Sequence, residues 1–406
     1  MNAPTKAVAN PLIDWLLEEG WRILDPNTFT SRFAQQIVAL GLPVCRIRTT
    51  IRILHPQVVG TSYTWQRGAD EVEEFSSPHS VLQTDMYLKS PFAEIFEGAG
   101  AIRRRLDIAG VELDYPILEE LRDEGATDYV AMPIEFSDGK ISAITFAGDR
   151  AGGFSTNELE LLYNMLPALG RIMEVHALRH TARSILNTYL GKQSGERVLN
   201  GSIKRGDGDD IHAIIWFCDL RGSTPLADSM PREEFLDLLN AFFECMAGAV
   251  LDHGGEVLRF IGDAVLAIFP IQSRHDCPEE CPEHQSACRA AVDAAQDAIM
   301  RIAELNNSRR ERGEEDVGFG IGLHLGEVMY GNIGVPARLE FSVIGAAANE
   351  AARIESMCKT LDRQLLISAD LARVLPENWI SMGLHTLRGV GAAQEIFTLA
   401  DQARAA

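Results

Sequence analysis

Ala213-Ile214-Ile215-Trp216-Phe217-Cys218-Asp219 is an unbroken apolar run that ends on a carboxylate. Such a run reads as a buried strand, with Asp219 at its C-terminal edge. Leu220-Arg221-Gly222-Ser223-Thr224 follows, then Phe235, Leu238, Leu239, Phe242 and Phe243 at helical spacing. The chain therefore makes a strand, a turn at Gly222 and a helix N-terminus. Backbone N–H groups of Gly222, Ser223 and Thr224 at such a turn can cradle phosphate.

A second carboxylate appears within Val257-Leu258-Arg259-Phe260-Ile261-Gly262-Asp263-Ala264-Val265-Leu266-Ala267-Ile268-Phe269. This stretch reads as two strands joined by a hairpin turn at Gly262-Asp263. The helix before it lets the hairpin return beside the first strand, so that Asp219 and Asp263 meet at one sheet edge. Adjacent carboxylates repel unless a cation joins them. Two Mg²⁺ ions held this way can bind a triphosphate and activate an attacking oxygen. Either motif alone also reads as an ordinary turn, because Asp and Gly-Asp pairs are common turn formers. The two in this order are far more specific.

Phe217 to Thr224 resembles the first metal motif of class III adenylate and guanylate cyclases, and Arg259 to Asp263 resembles the second. Phe341-Ser342-Val343-Ile344-Gly345-Ala346-Ala347-Ala348-Asn349-Glu350-Ala351-Ala352-Arg353-Ile354-Glu355 resembles the family's transition-state motif, with Asn349 and Arg353 four apart on one helix face. The resemblance implies an α+β, ferredoxin-like catalytic domain over 210–400 that works as a homodimer. Asp219, Asp263 and the Leu220 carbonyl would hold two Mg²⁺ or Mn²⁺ ions. Asn349 and Arg353 would come from the second chain, Asn349 orienting the ribose and Arg353 stabilising charge at the α-phosphate. Arg388 matches a position where relatives carry a phosphate-binding Lys, and as a lone basic residue reads equally as a surface charge.

The substrate base would lie against Arg259 and Ser342. Adenylate cyclases commonly carry Lys at the first position and Asp or Thr at the second, whereas guanylate cyclases usually carry Glu at the first. Arg259 only donates hydrogen bonds, which suits the accepting N1 of adenine. Ser342 can accept or donate and decides little. The balance favours ATP as substrate and 3′,5′-cyclic AMP with pyrophosphate as products. A guanylate cyclase and a catalytically silent nucleotide-binding or dimerisation module remain the alternatives. A diguanylate cyclase would need a Gly-Gly-Asp/Glu-Glu-Phe hairpin, which Ile261-Gly262-Asp263-Ala264 lacks.

Upstream, 406 residues are more than one compact domain usually holds. Residues 1–154 read as an α+β module. Near-alternation over Cys45–Leu54 predicts a strand, Ser137-Asp138-Gly139 a hairpin turn, and Pro91–Glu97 and Pro116–Asp123 short helices. Strand–helix order followed by a long helix is similar to a GAF-type regulatory domain, and such domains often bind a small-molecule ligand or form a dimer surface. Arg103-Arg104-Arg105 reads as an anion contact or, more ordinarily, a solvated face. Ser155 and Glu158 form a capping-box pattern that opens a long helix, interrupted by Pro167. It reads either as a dimeric stalk or as a helix packed on its own domain. Residues 191–210, rich in Gly and Ser, read as a linker, so 155–209 forms a connecting segment.

The formal net charge of −21 sets the chain against nucleic acid and anionic lipid. It also means that an anionic nucleotide needs local cations. No apolar stretch is long enough for a transmembrane helix, and none follows the N-terminus as a signal peptide would require, so a cytoplasmic protein is expected. Seven irregularly spaced cysteines favour reduced thiols. Cys277, Cys281 and Cys288, with His275 and His284, read as a polar loop or as a zinc or redox site.

Overall fold

The computed structural model describes residues 10–271, 281–375 and 378–400, in two units that divide between Ile185 and Leu186. Among the described residues no helix is long and apolar enough to cross a membrane.

The first unit opens with helices α1 (Pro11–Glu18) and α2 (Pro26–Ala39). Each has Pro in its first turn behind an Asn10 or Asp25 side chain that accepts a first-turn backbone N–H. That cap satisfies a donor the helix itself leaves orphaned. Strands β1 (Val44–Arg52), β2 (Val58–Gln66), β3 (Glu73–Pro78), β4 (Ile102–Arg105), β5 (Asp128–Glu135) and β6 (Ile141–Gly148) form one antiparallel sheet in the order β3-β2-β1-β6-β5-β4. Short helices α3 (Asp85–Leu88), α4 (Pro91–Phe96) and α5 (Pro116–Asp123) lie between the strands in sequence.

Two-residue alternation divides β1 between the two faces of the sheet. Ile47 and Ile51 join the core built with α1, α2 and the helix that follows the sheet. Arg46, Arg48, Thr50 and Arg52 point the other way, toward α4 and α5. On that second face Ile95, Leu118 and Leu121 pack on Tyr129, Ala131, Ala143 and Ala147.

The triple arginine is neither a solvated face nor a free anion site. It is edge strand β4, and each guanidinium has its own carboxylate: Arg103 with the buried Asp128, Arg104 with Asp114, and Arg105 with Asp107. Ser155 and Glu158 form the expected capping box, with the Ser155 N–H donating to Glu158 Oε2 at 2.7 Å. The helix they open is α6 (Thr156–Leu190), which carries Pro167 inside it. Leu162, Met165, Leu166, Leu169, Ile172, Met173 and Ala177 are buried in the first core, so this stretch packs on its own sheet. Farther along, Leu178 and Tyr189 are exposed.

The second unit begins where the sequence suggested a linker. That segment is not structureless, because it contains helix α7 (Lys192–Leu199) and the start of β7 (Gly208–Arg221). Gly191, at φ +86°, turns the chain from α6 into α7. The Ser194 N–H and hydroxyl both donate to Glu256 Oε1, at 2.8 and 2.7 Å, and the Tyr330 hydroxyl donates to Glu256 Oε2 at 2.7 Å. All three side chains are buried.

After β7 come α8 (Ser223–Ser229), α9 (Arg232–Asp252), the hairpin β8 (Glu256–Ile261) and β9 (Ala264–Pro270), and α10 (Pro282–Glu311). Then follow β10 (Gly318–Val335), β11 (Arg338–Ile344), α11 (Ala346–Leu361), β12 (Leu365–Ser368), α12 (Ala369–Val374), β13 (Trp379–His385) and β14 (Gln394–Leu399). The sheet runs β13-β14-β12-β10-β7-β9-β8, with β11 paired to β10. The apolar run is thus a central strand, covered on both faces. Ile214, Trp216, Cys218 and Leu220 pack with α9 and α10, while Ala213 and Ile215 pack with Ala347 and Ala351 of α11.

Helix α11 sits unusually close to β10. Gly320, Gly322 and Gly326 alternate along one face of that strand, and a Cβ at Gly322 would lie 2.5 Å from the Glu355 backbone nitrogen and 2.6 Å from the Ala351 carbonyl. Those are backbone atoms and cannot swing aside. Gly322→Ala is therefore expected to push α11 off the sheet and to destabilise the fold by about 1–3 kcal/mol, the usual range for overpacking. Urea denaturation of the variant beside the native chain measures it.

Candidate active site

Asp219 lies near the C-terminal end of β7, half-buried between the buried Cys218 and Leu220. In register it faces Gly320 on β10 and Ala264 on β9, and Ala264 is the residue after Asp263. The β8–β9 turn at Gly262, φ +64°, requires the left-handed backbone that glycine tolerates. Strand pairing therefore carries Asp263 to Asp219, as the sequence suggested. Burial, repulsion from Asp263 and a hydrogen bond shared with it push the Asp219 carboxyl up to about 6, against a smaller opposing effect of the Leu220 N–H. The pair is a site of uncompensated negative charge.

A third carboxyl stands behind them. Glu355 lies on the buried side of α11, and burial, with repulsion from Asp219 next in size, pushes it up to about 8. Both causes favour its neutral form, which adds no charge to the pair. The sequence reading quoted Glu355 but gave it no role. The signal available was Gly320, whose missing side chain makes the room that Glu355 occupies.

The donor set suits a hard divalent cation, because two repelling carboxylates are what such an ion neutralises. Asp219 and Asp263 would hold it, with the backbone oxygen of Leu220, the next residue of β7, as the further ligand that the resemblance implies. Among the described residues no group of three or more His, Cys, Asp or Glu side chains could hold a metal. Water and substrate oxygens would have to complete the shell.

Gly222 takes φ +70° and caps α8, so Ser223 and Thr224 open that short helix directly after the Asp219 strand. Arg259, on β8, is exposed and engages Glu340 of β11 bidentately through one guanidinium edge, with Nε to Oε1 and Nη2 to Oε2 both at 2.6 Å. Sequence reasoning missed Glu340, since a pair 81 positions apart leaves no local pattern. Ser342 is buried on β11, opposite Gly331.

Asn349 and Arg353 are on α11 but face outward. The helix buries Ala347, Ala351, Ile354, Glu355 and Cys358, and leaves both motif residues exposed. The face that presses Glu355 toward Asp219 is thus the opposite of the face that displays them. Arg388 stands exposed in the turn between β13 and β14, next to Gly389 at φ +83°. One copy of the chain brings Asp219, Asp263 and the Gly222 turn together and leaves Asn349, Arg353 and Arg388 on the surface.

Cysteine chemistry departs from expectation. Cys281 is disulfide-bonded rather than a reduced thiol. Cys288 is fully buried in the core around α10. His284 is buried with its ring edge-on to His212 at 5.0 Å. Cys277 and His275 lie outside the described residues.

Residues 209–394 match the family model described as the adenylate and guanylate cyclase catalytic domain. An uncharacterized protein of Mycobacterium tuberculosis is 33% identical over 215 residues, covering 52% of this chain and 37% of its own length. The chain thus spans well under half the length of that relative. Among solved structures, a bacterial light-regulated adenylyl cyclase superposes with TM-score 0.48 at 18% identity, covering 70% of this chain and 88% of its own. The guanylyl cyclase Cya2 gives TM-score 0.40 at 28% identity, covering 47% and 92%. The family match thus assigns an adenylate and guanylate cyclase catalytic domain to residues 209–394.

The raised Asp219 carboxyl makes a pH-dependent prediction. A carboxyl whose folded pKa lies above its ordinary value stabilises the fold while protonated, and that contribution is lost as pH rises through about 6. Above that pH the metal-free protein carries an unrelieved repulsion. Asp219→Asn should then melt higher than the native chain without metal. Mn²⁺ should raise the melting temperature of the native chain and leave the variant unmoved. Thermal melts with and without chelator on both sides of pH 6 check it.

Proposed function

We propose that the second unit is an adenylate cyclase that converts ATP to 3′,5′-cyclic AMP and pyrophosphate at sites shared by two copies of the chain. The observation that carries this reading is the split of the motif residues. Asp219 and Asp263 meet inside one copy, while Asn349 and Arg353 face out of it. A second copy laid against that surface supplies what each site lacks.

The reaction is an intramolecular displacement, in which the ribose 3′-oxygen attacks the α-phosphorus and pyrophosphate leaves. Little covalent chemistry falls to the protein, so positioning and charge dominate. Divalent cations, when bound, neutralise the phosphates and acidify the 3′-hydroxyl. Asp219 and Asp263 hold them, with the Leu220 carbonyl as a further ligand. The Gly222-Ser223-Thr224 turn offers N–H groups to the phosphates. Arg353 donates to the α-phosphate oxygens as charge builds there, and Asn349 fixes the ribose. Arg388 is the further phosphate contact. The base lies against Arg259 and Ser342, and a donor at Arg259 fits adenine N1. The first unit regulates this chemistry as a GAF-like sensor, in a cytoplasmic protein.

One observation favours a second reading, a guanylate cyclase. Glu340 brings a carboxylate to Arg259, and a carboxylate is what the guanine N1–H would seek.

Purified chain incubated with ATP or GTP and Mg²⁺ or Mn²⁺ is expected to yield cyclic AMP as the main product. Cyclic GMP as the main product moves the assignment to the second reading. Asp219→Ala and Arg353→Ala should each lose activity by about a hundredfold or more, the scale of removing one charge-stabilising group. Mixed before assembly, the two inactive variants should recover about a quarter of native activity, because half the dimers are mixed and each holds one complete site. No recovery on mixing would contradict a shared site.

A further inference from the structure

The first unit holds a cavity of about 420 Å³ between the second face of its sheet and α3, α4 and α5. Its size is that of a small-molecule site, and its walls are mostly apolar. The floor includes the outward row of β1, with Arg46, Arg48 and Arg52 at two-residue spacing. These arginines are not equivalent. Arg46 is neutralised by Glu120 at 2.7 Å, with Glu124 at 3.7 Å. Arg48 and Arg52 have no carboxylate within ion-pair distance among the described residues, in a chain with 58 acidic residues and 37 basic ones. Arg103, Arg104 and Arg105, on the same sheet, each found one.

Arg48 is the more telling case. Its Nη2 donates to Ser62 Oγ at 3.2 Å, and its guanidinium lies 5.7 Å from the Phe92 ring centroid. Its Nε is buried with no hydrogen-bond partner. Burial, aided by the Arg46 charge beside it, pulls the guanidinium below its ordinary range. A desolvated cation with an orphaned donor is expensive unless an anion completes it. Farther along the strand Arg52 lies 5.2 Å from the ring of Phe96, and Phe92 and Phe96 stack with centroids 6.0 Å apart. The cavity thus joins an aromatic, apolar wall to a planar fork that accepts a carboxylate or a phosphate edge-on.

We propose that this cavity binds a small organic anion, with its acid group on Arg48 and its apolar body against Phe92 and Phe96. Carboxylate and phosphate monoester share the chemistry that Arg48 recognises. The apolar lining excludes a bare inorganic ion as the natural occupant.

The test uses the full chain, melted in the presence of benzoate, phenylacetate, octanoate or phenyl phosphate, each beside its neutral counterpart, benzyl alcohol or octanol. At least one anion is expected to raise the melting temperature in a saturable way, while the alcohols do not. A larger shift from phenyl phosphate assigns a phosphate ester, and a larger shift from the others a carboxylate. Arg48→Gln should weaken the effective anion by about tenfold or more, as loss of a charge-assisted fork does. If that variant does not fold, Arg48→Lys, which keeps the charge and loses the planar fork, carries the same expectation. Equal shifts from anions and alcohols, no shift from any anion, or an unchanged shift in the arginine variant would overturn the proposal.

Discussion

Helix α11 can touch the main chain of β10 only because β10 offers it no side chains where they meet. Gly320, Gly322 and Gly326 clear that face, and the alanines and Cys358 of α11 fill it. Much of the site follows from this contact. It fixes the rotation of α11, so that Glu355 reaches toward Asp219 while Asn349 and Arg353 turn away. It also fixes the height of the helix above the sheet, and with it the reach of those two side chains. A helix standing one methyl group farther out would carry the same residues to different places.

The electrostatics make the division between copies intelligible. The chain is strongly acidic, and its site concentrates carboxyls further. One copy answers that charge with a neutral Glu355 and with backbone N–H groups, and keeps its conspicuous cation, Arg353, on the outside. Arg259 already has a carboxylate partner, because Glu340 pairs with its Nε and Nη2 and leaves the rest of the guanidinium exposed. An isolated copy would meet a triphosphate with repulsion. On the proposed reading, bound cations and the surface of a second copy would supply the missing positive charge, so that assembly and substrate binding would draw on one electrostatic deficit.

The strands that matter most were legible because their patterns are local. An apolar run ending in Asp219, a Gly-Asp turn and a Ser155–Glu158 box each declare themselves within a few residues, and α5 falls where Pro116 and its apolar spacing place it. What stayed hidden depends on partners far away in sequence. Edge strand β3 is polar and exposed, so no alternation marks it, and pairing with β2 alone makes it a strand. Arg103, Arg104 and Arg105 look like a charge run until Asp128, Asp114 and Asp107 arrive opposite them. Likewise α7 lies in a stretch whose Gly and Ser content reads as a linker. Its Ser194 becomes a buried anchor only once Glu256 and Tyr330 are beside it.

That anchor has a mechanical meaning. Gly191 turns the chain with a left-handed φ of +86°, and three residues later the chain is gripped by two hydrogen bonds from Ser194 to one buried carboxylate oxygen, with Tyr330 holding the other. Glu256 is the first residue of β8, the strand that continues through Arg259 to the turn at Asp263. Torque that reaches Gly191 therefore has a stiff shaft to turn. Rotating α7 means dragging the root of the hairpin, and the displacement emerges at the tip, where a carboxylate must stand beside Asp219.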